Sequence, residues 1–330
     1  LNSTQPFAGL QPDTIIDAVE QAGYACDARI FPLNSYENRV YQIGLDDLPP
    51  IIGKFYRPDR WDDAAILEEH RYTLALAELE IPVVAPLCKN HPSLLEFGDF
   101  RFALYPRHGG HTPELDKPET LTWLGRFMGR IHRVGASQPF QHRPRLDIQS
   151  YVIEPSEFVM AHGFIADYLK EAYQILIADL IPLLKQRFDD VQYQSIRLHG
   201  DCHAGNILWT DKGPHFVDFD DSRMGPAMQD LWMLLSGNQQ EQRGQLEHVL
   251  RGYEEFHDFN PAESRLIEPL RTLRLVHYAG WLARRWHDPS FPINFPWFGE
   301  PRYWEEHILE LREQLSLLQD TANNFTSSWH

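Results

Sequence analysis

Cysteine is scarce. Cys26, Cys88 and Cys202 are the three in 330 residues, odd in number, far apart and without a CxxC pair. That argues against a disulfide framework and suits a reducing compartment. Long apolar runs are lacking too. None approaches the roughly 20 residues that span a bilayer, and LNSTQPFAGLQPD has no basic stretch followed by an apolar core. A cytoplasmic protein with no secretory signal and no membrane partner is expected. Without such a signal, the glycosylation patterns Asn2-Ser3-Thr4 and Asn324-Phe325-Thr326 read as chance. Positive charge is also short: 30 Lys and Arg face 47 Asp and Glu, a net charge of -17. A phosphate-tracking surface for nucleic acid is therefore not expected. There is no internal repeat and no low-complexity tract.

What is present divides in two. Pro12-Asp13 open a helical stretch that closes on Gly23. RVYQI (39–43) and IIGKFY (51–56) read as strands, a helical pattern covers 64–80, and SLLEFGDFRFALY reads as two short strands joined at Gly98-Asp99. Residues 1–105 thus form a small α+β lobe. Beyond a Pro106–Gly110 linker, helical spacing dominates: 121–135, 164–188, 226–237, 245–256, 264–286 and 303–318. Two strand candidates, NILWT and PHFVDFDD, interrupt it. Residues 106–330 therefore make a second, mostly helical lobe.

The chemistry concentrates in LHGDCHAGNILW (198–209) and HFVDFDD. Phosphoryl transfer needs a carboxylate near the attacking hydroxyl and hard oxygen ligands for Mg2+. Asp201 fits the first role; Asn206 and Asp218 fit the second, with a β-hairpin joining them. Two other readings compete. Asp, Gly and Asn favour turns, so a purely structural turn is a competing reading. His199, Cys202 and His203 suggest zinc, but their spacing is poor and no second cluster completes a site. Cys202 reads as a small buried residue and not a nucleophile.

In the first lobe, Lys54 sits inside the apolar strand IIGKFY, a costly place unless its ammonium finds a partner. Glu69 lies in register with Tyr72, Leu76 and Leu79 on the inward face of the next helix, with Glu68 as the alternative partner. A strand lysine paired with a glutamate on the following helix holds nucleotide phosphates in kinases. The competing reading is a lysine snorkelling at a strand end. PLNSYENRVYQI lies where a phosphate-covering loop belongs, yet holds no glycine. Asn34 and Asn38 tolerate positive φ, and Ser35 adds a hydroxyl.

Together, Lys54, Glu69, His199-Gly200-Asp201, Asn206 and Asp218 resemble the aminoglycoside phosphotransferase and choline kinase superfamily. LGRFMGRIH and the PAMQDLW segment with Asp230 match its pattern as well. LNSYENRVYQ, KFYRP, LHGDCHAGNILW and DLWMLL look most similar to the bacterial stress response kinase A family of cytoplasmic Ser/Thr protein kinases. The resemblance covers nearly the full length. It implies a bilobal protein-kinase-like α+β fold, with residues 1–105 as nucleotide-binding lobe and 106–330 as catalytic and substrate lobe. ATP is the implied co-substrate with Mg2+, and a protein Ser/Thr hydroxyl, including the enzyme's own, the acceptor. Asp201 would then accept the proton and Asn206 and Asp218 ligate Mg2+. Ser35 would contact nucleotide, and adenine would lie against the backbone at Tyr105–Arg107. His199 and Asp230 would support the catalytic loop. A monomer active in stress response is expected. The chain departs from eukaryotic protein kinases in lacking a Gly-rich loop, in reading His-Gly-Asp for HRD, and in reading Asp218-Phe219-Asp220 for DFG. Switching by loop phosphorylation is not expected.

The alternatives are a small-molecule hydroxyl kinase of the same fold and a pseudokinase scaffold, which ATP turnover would exclude. RTLRLVHYAGWLARRWHDPSFPINFPWF (271–298) bears on the first. Pockets for cationic acceptors need carboxylates or an aromatic cage around the cation, and this stretch is rich in arginine instead. On an unbroken helix Arg271, Arg274 and Arg285 fall within roughly 60° of one another. Such a stripe would repel a polycation and dock an acidic or phosphorylated peptide, with Trp281, Trp286 and Trp297 adding apolar area. The competing readings pair these arginines with surface carboxylates, or break the helix at Gly280.

Overall fold

The computed structural model describes residues 6–88 and 91–320; the two glycosylation patterns lie outside them. The chain opens with α1 (Pro12–Gln21), β1 (Cys26–Pro32), β2 (Arg39–Leu45), β3 (Ile51–Phe55), α2 (Asp63–Glu78), β4 (Leu95–Phe97) and β5 (Phe100–Pro106). The strands form one antiparallel sheet in the order β1-β2-β3-β5-β4. Side chains alternate across a strand, so each face has its own job. Ile43, Ile51, Phe55, Phe102 and Leu104 pack with Ile15, Ala18 and Val19 of α1. Val40 pairs with Lys54, Lys54 with Ala103, and Ile52 with Tyr105. Those residues share the other face, which looks into a cleft. α2 covers part of that face, its first turn capped by the Asp62 carboxylate on the Ala65 N–H at 2.8 Å. β1 escaped the sequence pattern. It is a half-exposed strand whose register shifts between Cys26 and Ile30, with Ala28 at φ 64°. The irregular residues hide the alternation.

The remainder is α3 (Pro118–Gly135), a π-helical turn at Gln149–Ile153, α4 (Glu154–Ala161), α5 (Asp167–Asp189), β6 (Ile196–Arg197), β7 (Ile207–Thr210), β8 (Gly213–Phe216), β9 (Met224–Gly225), α6 (Met228–Leu231), α7 (Gln239–Tyr253), α8 (Ile267–Arg285), α9 (Ser290–Asn294) and α10 (Pro301–Gln319). Two small antiparallel pairs, β6–β9 and β7–β8, sit among the helices. α8 continues through Gly280: a Cβ there would meet Pro155 at 2.4 Å, so the glycine serves the packing of α4 on α8 and does not break the helix.

LGRFMGRIH owes its glycines to a helix crossing. A Cβ on Gly125 would lie 1.9 Å from the Val249 carbonyl oxygen, and one on Gly129 2.5 Å from that of Tyr253. Gly252 of α7 faces the Thr122 carbonyl the same way, at 2.0 Å. The obstructing atoms are backbone and cannot rotate aside. Gly125→Ala is therefore expected to lose about 1–3 kcal/mol of stability despite alanine's better helix propensity. A urea melt checks this; an unchanged midpoint would show that α3 and α7 separate freely.

Candidate active site

After β6 the chain makes a sharp turn. Gly200 has φ +89°, and a Cβ there would sit 2.1 Å from the Asp221 carbonyl oxygen. Only glycine fits between His199 and Asp201. Asp230, fully buried, accepts from the N–H groups of His199 and Gly200, both at 2.8 Å, and lies 3.0 Å from His132 Nε2. His132 Nδ1 is in turn 3.0 Å from the Tyr253 hydroxyl. One carboxylate thus satisfies both buried donors of the turn and ties it to α3 and α7. The His199 ring accepts from Asp201 N–H at Nδ1 (3.3 Å) and donates from Nε2 to the Val217 carbonyl (2.9 Å). It thereby joins the turn to the segment that carries Asp218.

Asp201 Oδ1 accepts from Arg274 Nη1 at 2.5 Å. Its Oδ2 lies 3.5 Å from both Asn206 Nδ2 and His203 Nε2. Burial pushes the Asp201 carboxyl up, but the His203 hydrogen bond and the Arg274 charge outweigh it and hold the pKa at about 2. Asn206 Nδ2 donates to the Asp201 carbonyl at 2.9 Å, which leaves the amide oxygen for another partner. Asp218 occupies the left-handed region at φ 61°, ψ 63°, uncommon for a residue with a side chain and a mark of functional segments. Its side chain is half exposed.

The expected Lys54–Glu69 ion pair is not made. Lys54 Nζ lies 2.8 Å from Asp218 Oδ1 and 3.5 Å from Asp220 Oδ1. These two carboxylates reach the single ammonium first. Glu69 still shares its pocket: burial raises its carboxyl to about 7 although Lys54 and Arg143 pull it down. Its Oε2 has no hydrogen-bond partner among the described residues. Glu68 is engaged elsewhere, accepting the N–H groups of Gln141, His142 and Arg143 at 2.7–2.9 Å.

Two cavities meet at this point. One, about 350 Å³, lies against the sheet face of Val40, Ile52, Lys54 and Tyr105, with Glu69 and Val84 beside it. The Tyr105 hydroxyl is turned away, 3.0 Å from that of Tyr56. Arg107 points to Gln42 at 2.7 Å and does not line this cavity. The other, about 440 Å³, is walled by Tyr151, Arg223, Arg274, Tyr278, Trp281 and Phe295, with Asp201 on its surface. Asn34, Ser35, Gly205, Asn206 and Asp218 line both. The glycine-free loop around Ser35 is held by side chains. Asn38 donates to Asp220 at 3.1 Å and accepts the Arg57 N–H at 3.0 Å. Glu37 accepts from Trp281 Nε1 at 2.6 Å and makes an ion pair with Arg285 at 2.6 Å.

The arginine stripe dissolves into separate pairs. Arg271 binds Glu268 at 2.8 Å and Gln242 at 2.9 Å. Arg285 takes Glu37, and only Arg274 turns to Asp201. Trp281 lines the second cavity, whereas Trp286 packs against Phe298 at 5.1 Å and Trp297 against Phe295 at 5.9 Å. Carboxylates do reach this cavity, against the sequence reading, but from distant segments: Glu37 and Asp221. Each is matched by arginine, Glu37 by Arg57 and Arg285, Asp221 by Arg60 and Arg223. Asp220, Arg60 and Arg143 were missed as well; the doubled acid in DFDD was the available signal for Asp220 and RPDR for Arg60, while Arg143 stands in QHRPR with no pattern to mark it. His199, Cys202 and His203 do not converge, since the Cys202 thiol faces Met128 Sδ at 3.6 Å. Among the described residues no group of three His, Cys, Asp or Glu side chains could hold a metal. Asp218 and Asn206 offer two hard oxygens, which suits a cation such as Mg2+ that keeps water and phosphate as its other ligands.

A family model described as "Phosphotransferase enzyme family" matches residues 29–267. The chain is 47% identical over 325 residues to "Stress response kinase A" of Escherichia coli (strain K12), covering 98% of each. It is 44% identical over 320 residues to "Serine/threonine protein kinase RdoA" of Salmonella typhimurium (strain LT2), covering 97% of each. Among solved structures, an amicoumacin kinase in complex with AMP-PNP, Ca2+ and Ami superposes with a TM-score of 0.71 at 18% identity, over 94% of each chain. That likeness concerns the fold.

Proposed function

The chain belongs to the phosphotransferase enzyme family and, within it, to the group of stress response kinase A; on that premise we propose that it is an ATP-dependent protein Ser/Thr kinase acting in stress response. Residues 1–105 form the nucleotide lobe and 106–330 the catalytic and substrate lobe. The observation that carries the reading is the junction of two cavities at Asn206 and Asp218, with Lys54 in one and Asp201 at the other. ATP lies in the cavity against the sheet, its adenine near the Tyr105–Arg107 backbone, its phosphates toward Lys54 and Ser35. Asn206 and Asp218 hold Mg2+, which when bound neutralises charge on the phosphates. The acceptor hydroxyl enters the second cavity. Asp201 takes its proton as the oxygen bonds to the γ-phosphorus and the bond to the bridging β–γ oxygen breaks, releasing ADP. His199 and Asp230 keep the loop in place.

Two facts favour a protein acceptor. A relative that shares 44% of the sequence is named a serine/threonine protein kinase. The carboxylates around the second cavity are matched by cations, Glu37, Asp221 and Asp201 by arginines and Asp218 by Lys54, so little negative charge is left to attract a polyamine. The runner-up, a small-molecule hydroxyl kinase, draws on the size of that cavity, about 440 Å³, which lies within the usual range for small ligands. Labelled ATP offered with casein, with the enzyme alone, and with aminoglycosides and choline separates the two. Phosphoserine or phosphothreonine on protein is expected; transfer to a small amine alone would promote the runner-up.

Glu69 adds a pH prediction. With its carboxyl raised to about 7 by burial, it is mostly neutral below that pH and ionised above it. Only the ionised form can draw Lys54 from Asp218 as the metal arrives. The value of kcat/KM for MgATP should therefore fall as pH drops through about 7, and Glu69→Gln should be low and flat across that range. A wild-type profile level from pH 5.5 to 8 would remove Glu69 from nucleotide binding.

A further inference from the structure

We propose that Arg274 selects the acceptor: when the reacting hydroxyl takes its place on Asp201, the freed guanidinium binds an anionic group that the acceptor carries beside that hydroxyl. The inference rests on the reading of Asp201 as the base and names the substrate class of the same site.

The two oxygens of Asp201 have different surroundings. Oδ2 faces its own loop, 3.5 Å from Asn206 Nδ2 and His203 Nε2. Oδ1 is bonded from across the cavity by Arg274 of α8, at 2.5 Å. A hydroxyl that gives up its proton to Asp201 from the cavity side needs Oδ1. It therefore competes with Arg274 for that oxygen.

The other cations of the cavity keep their partners throughout. Arg60 is paired with Asp220 and with Asp221 (2.7 Å), and Arg223 with Asp221 (2.9 Å); neither carboxylate is consumed in the reaction. Their side chains are 12% and 7% exposed, that of Arg274 40%. Among the described residues, Asp201 is the sole ion-pair partner of Arg274. The most exposed of these arginines is thus the one whose counter-charge the reaction engages. A half-buried guanidinium beside aromatic walls is poorly compensated by water, so an anion brought by the acceptor offsets what binding removes. The planar fork suits a carboxylate or a phosphate. For a protein acceptor this means a Ser or Thr flanked by acidic or phosphorylated residues.

The competing anion is the γ-phosphate of ATP, and the test separates the two. Peptides with a single serine flanked by Glu, by Gln or by Lys, and small hydroxyl compounds with and without a carboxylate, are assayed with wild type, Arg274→Ala and Arg274→Lys. ATP consumption without acceptor is measured alongside. Wild type should prefer the acidic peptide over the neutral one by about tenfold or more in kcat/KM. Arg274→Ala should lower the acidic-over-neutral preference by about tenfold or more, the extra loss on the acidic peptide appearing mainly in KM, on top of any loss shared by both peptides from the changed surroundings of Asp201. Arg274→Lys should recover part of the preference. An equal loss on all acceptors and on acceptor-free ATP consumption would assign Arg274 to the γ-phosphate and overturn the proposal. So would a wild-type preference for the Lys-flanked peptide. Transfer to small hydroxyl compounds only, with an Arg274-dependent preference for the carboxylate-bearing ones, would keep this inference and sink the protein-acceptor reading.

Discussion

Asp201→Asn is expected to slow turnover by about 10²–10⁴-fold, the range for loss of a positioned base, with MgATP affinity unchanged within about threefold. Asparagine keeps the size of the side chain and one acceptor oxygen but cannot take the hydroxyl proton. The loop should survive the change, because its anchors are elsewhere. Asp230 holds the His199 and Gly200 N–H groups, and the Asp201 backbone carbonyl, not its carboxylate, receives Asn206 at 2.9 Å. Single-turnover transfer measured beside nucleotide binding separates chemistry from folding. Turnover surviving within a few-fold would make Asp201 a structural turn residue.

Asp218→Asn should act on the other side of the junction, weakening MgATP binding by more than about tenfold, since even supporting residues of metal sites cost that much. A neutral amide replaces the charged oxygen offered to the cation. The substitution is clean in the backbone: the φ of 61° at this position is tolerated by Asn as readily as by Asp. Lys54 retains Asp220, 3.5 Å away, so the buried ammonium is not orphaned. Titration calorimetry with and without Mg2+ reads the effect. Equal metal-dependent affinity in the two proteins would contradict the assignment of Asp218.

The helices were legible because their apolar period is long and regular, and the α+β division followed from it. What escaped was short or irregular: β1 with its shifted register, the two-residue pair β6–β9, the π-helical turn with α4 at 149–161, and α9. At the site, Asp201, Asn206 and Asp218 lie within 18 residues of sequence, so local spacing sufficed to group them. Lys54 announced itself as a charge in an apolar strand. The ionic frame did not, because Asn38 meets Asp220 across 182 positions and Arg57 meets Asp288 across 231. No periodicity reports contacts at that separation. The arginines of α8 show the same limit. Helical phase predicts which face they share, but the partners that split them, Glu268, Asp201 and Glu37, are set by tertiary packing.

The most direct test of the account is phosphoamino-acid analysis after incubation of the wild-type protein and Asp201→Asn with γ-labelled MgATP and casein. The account predicts label on serine or threonine, of casein or of the enzyme, with wild type and its near-complete loss with Asp201→Asn. Label released only as inorganic phosphate, or equal labelling by both proteins, would contradict it.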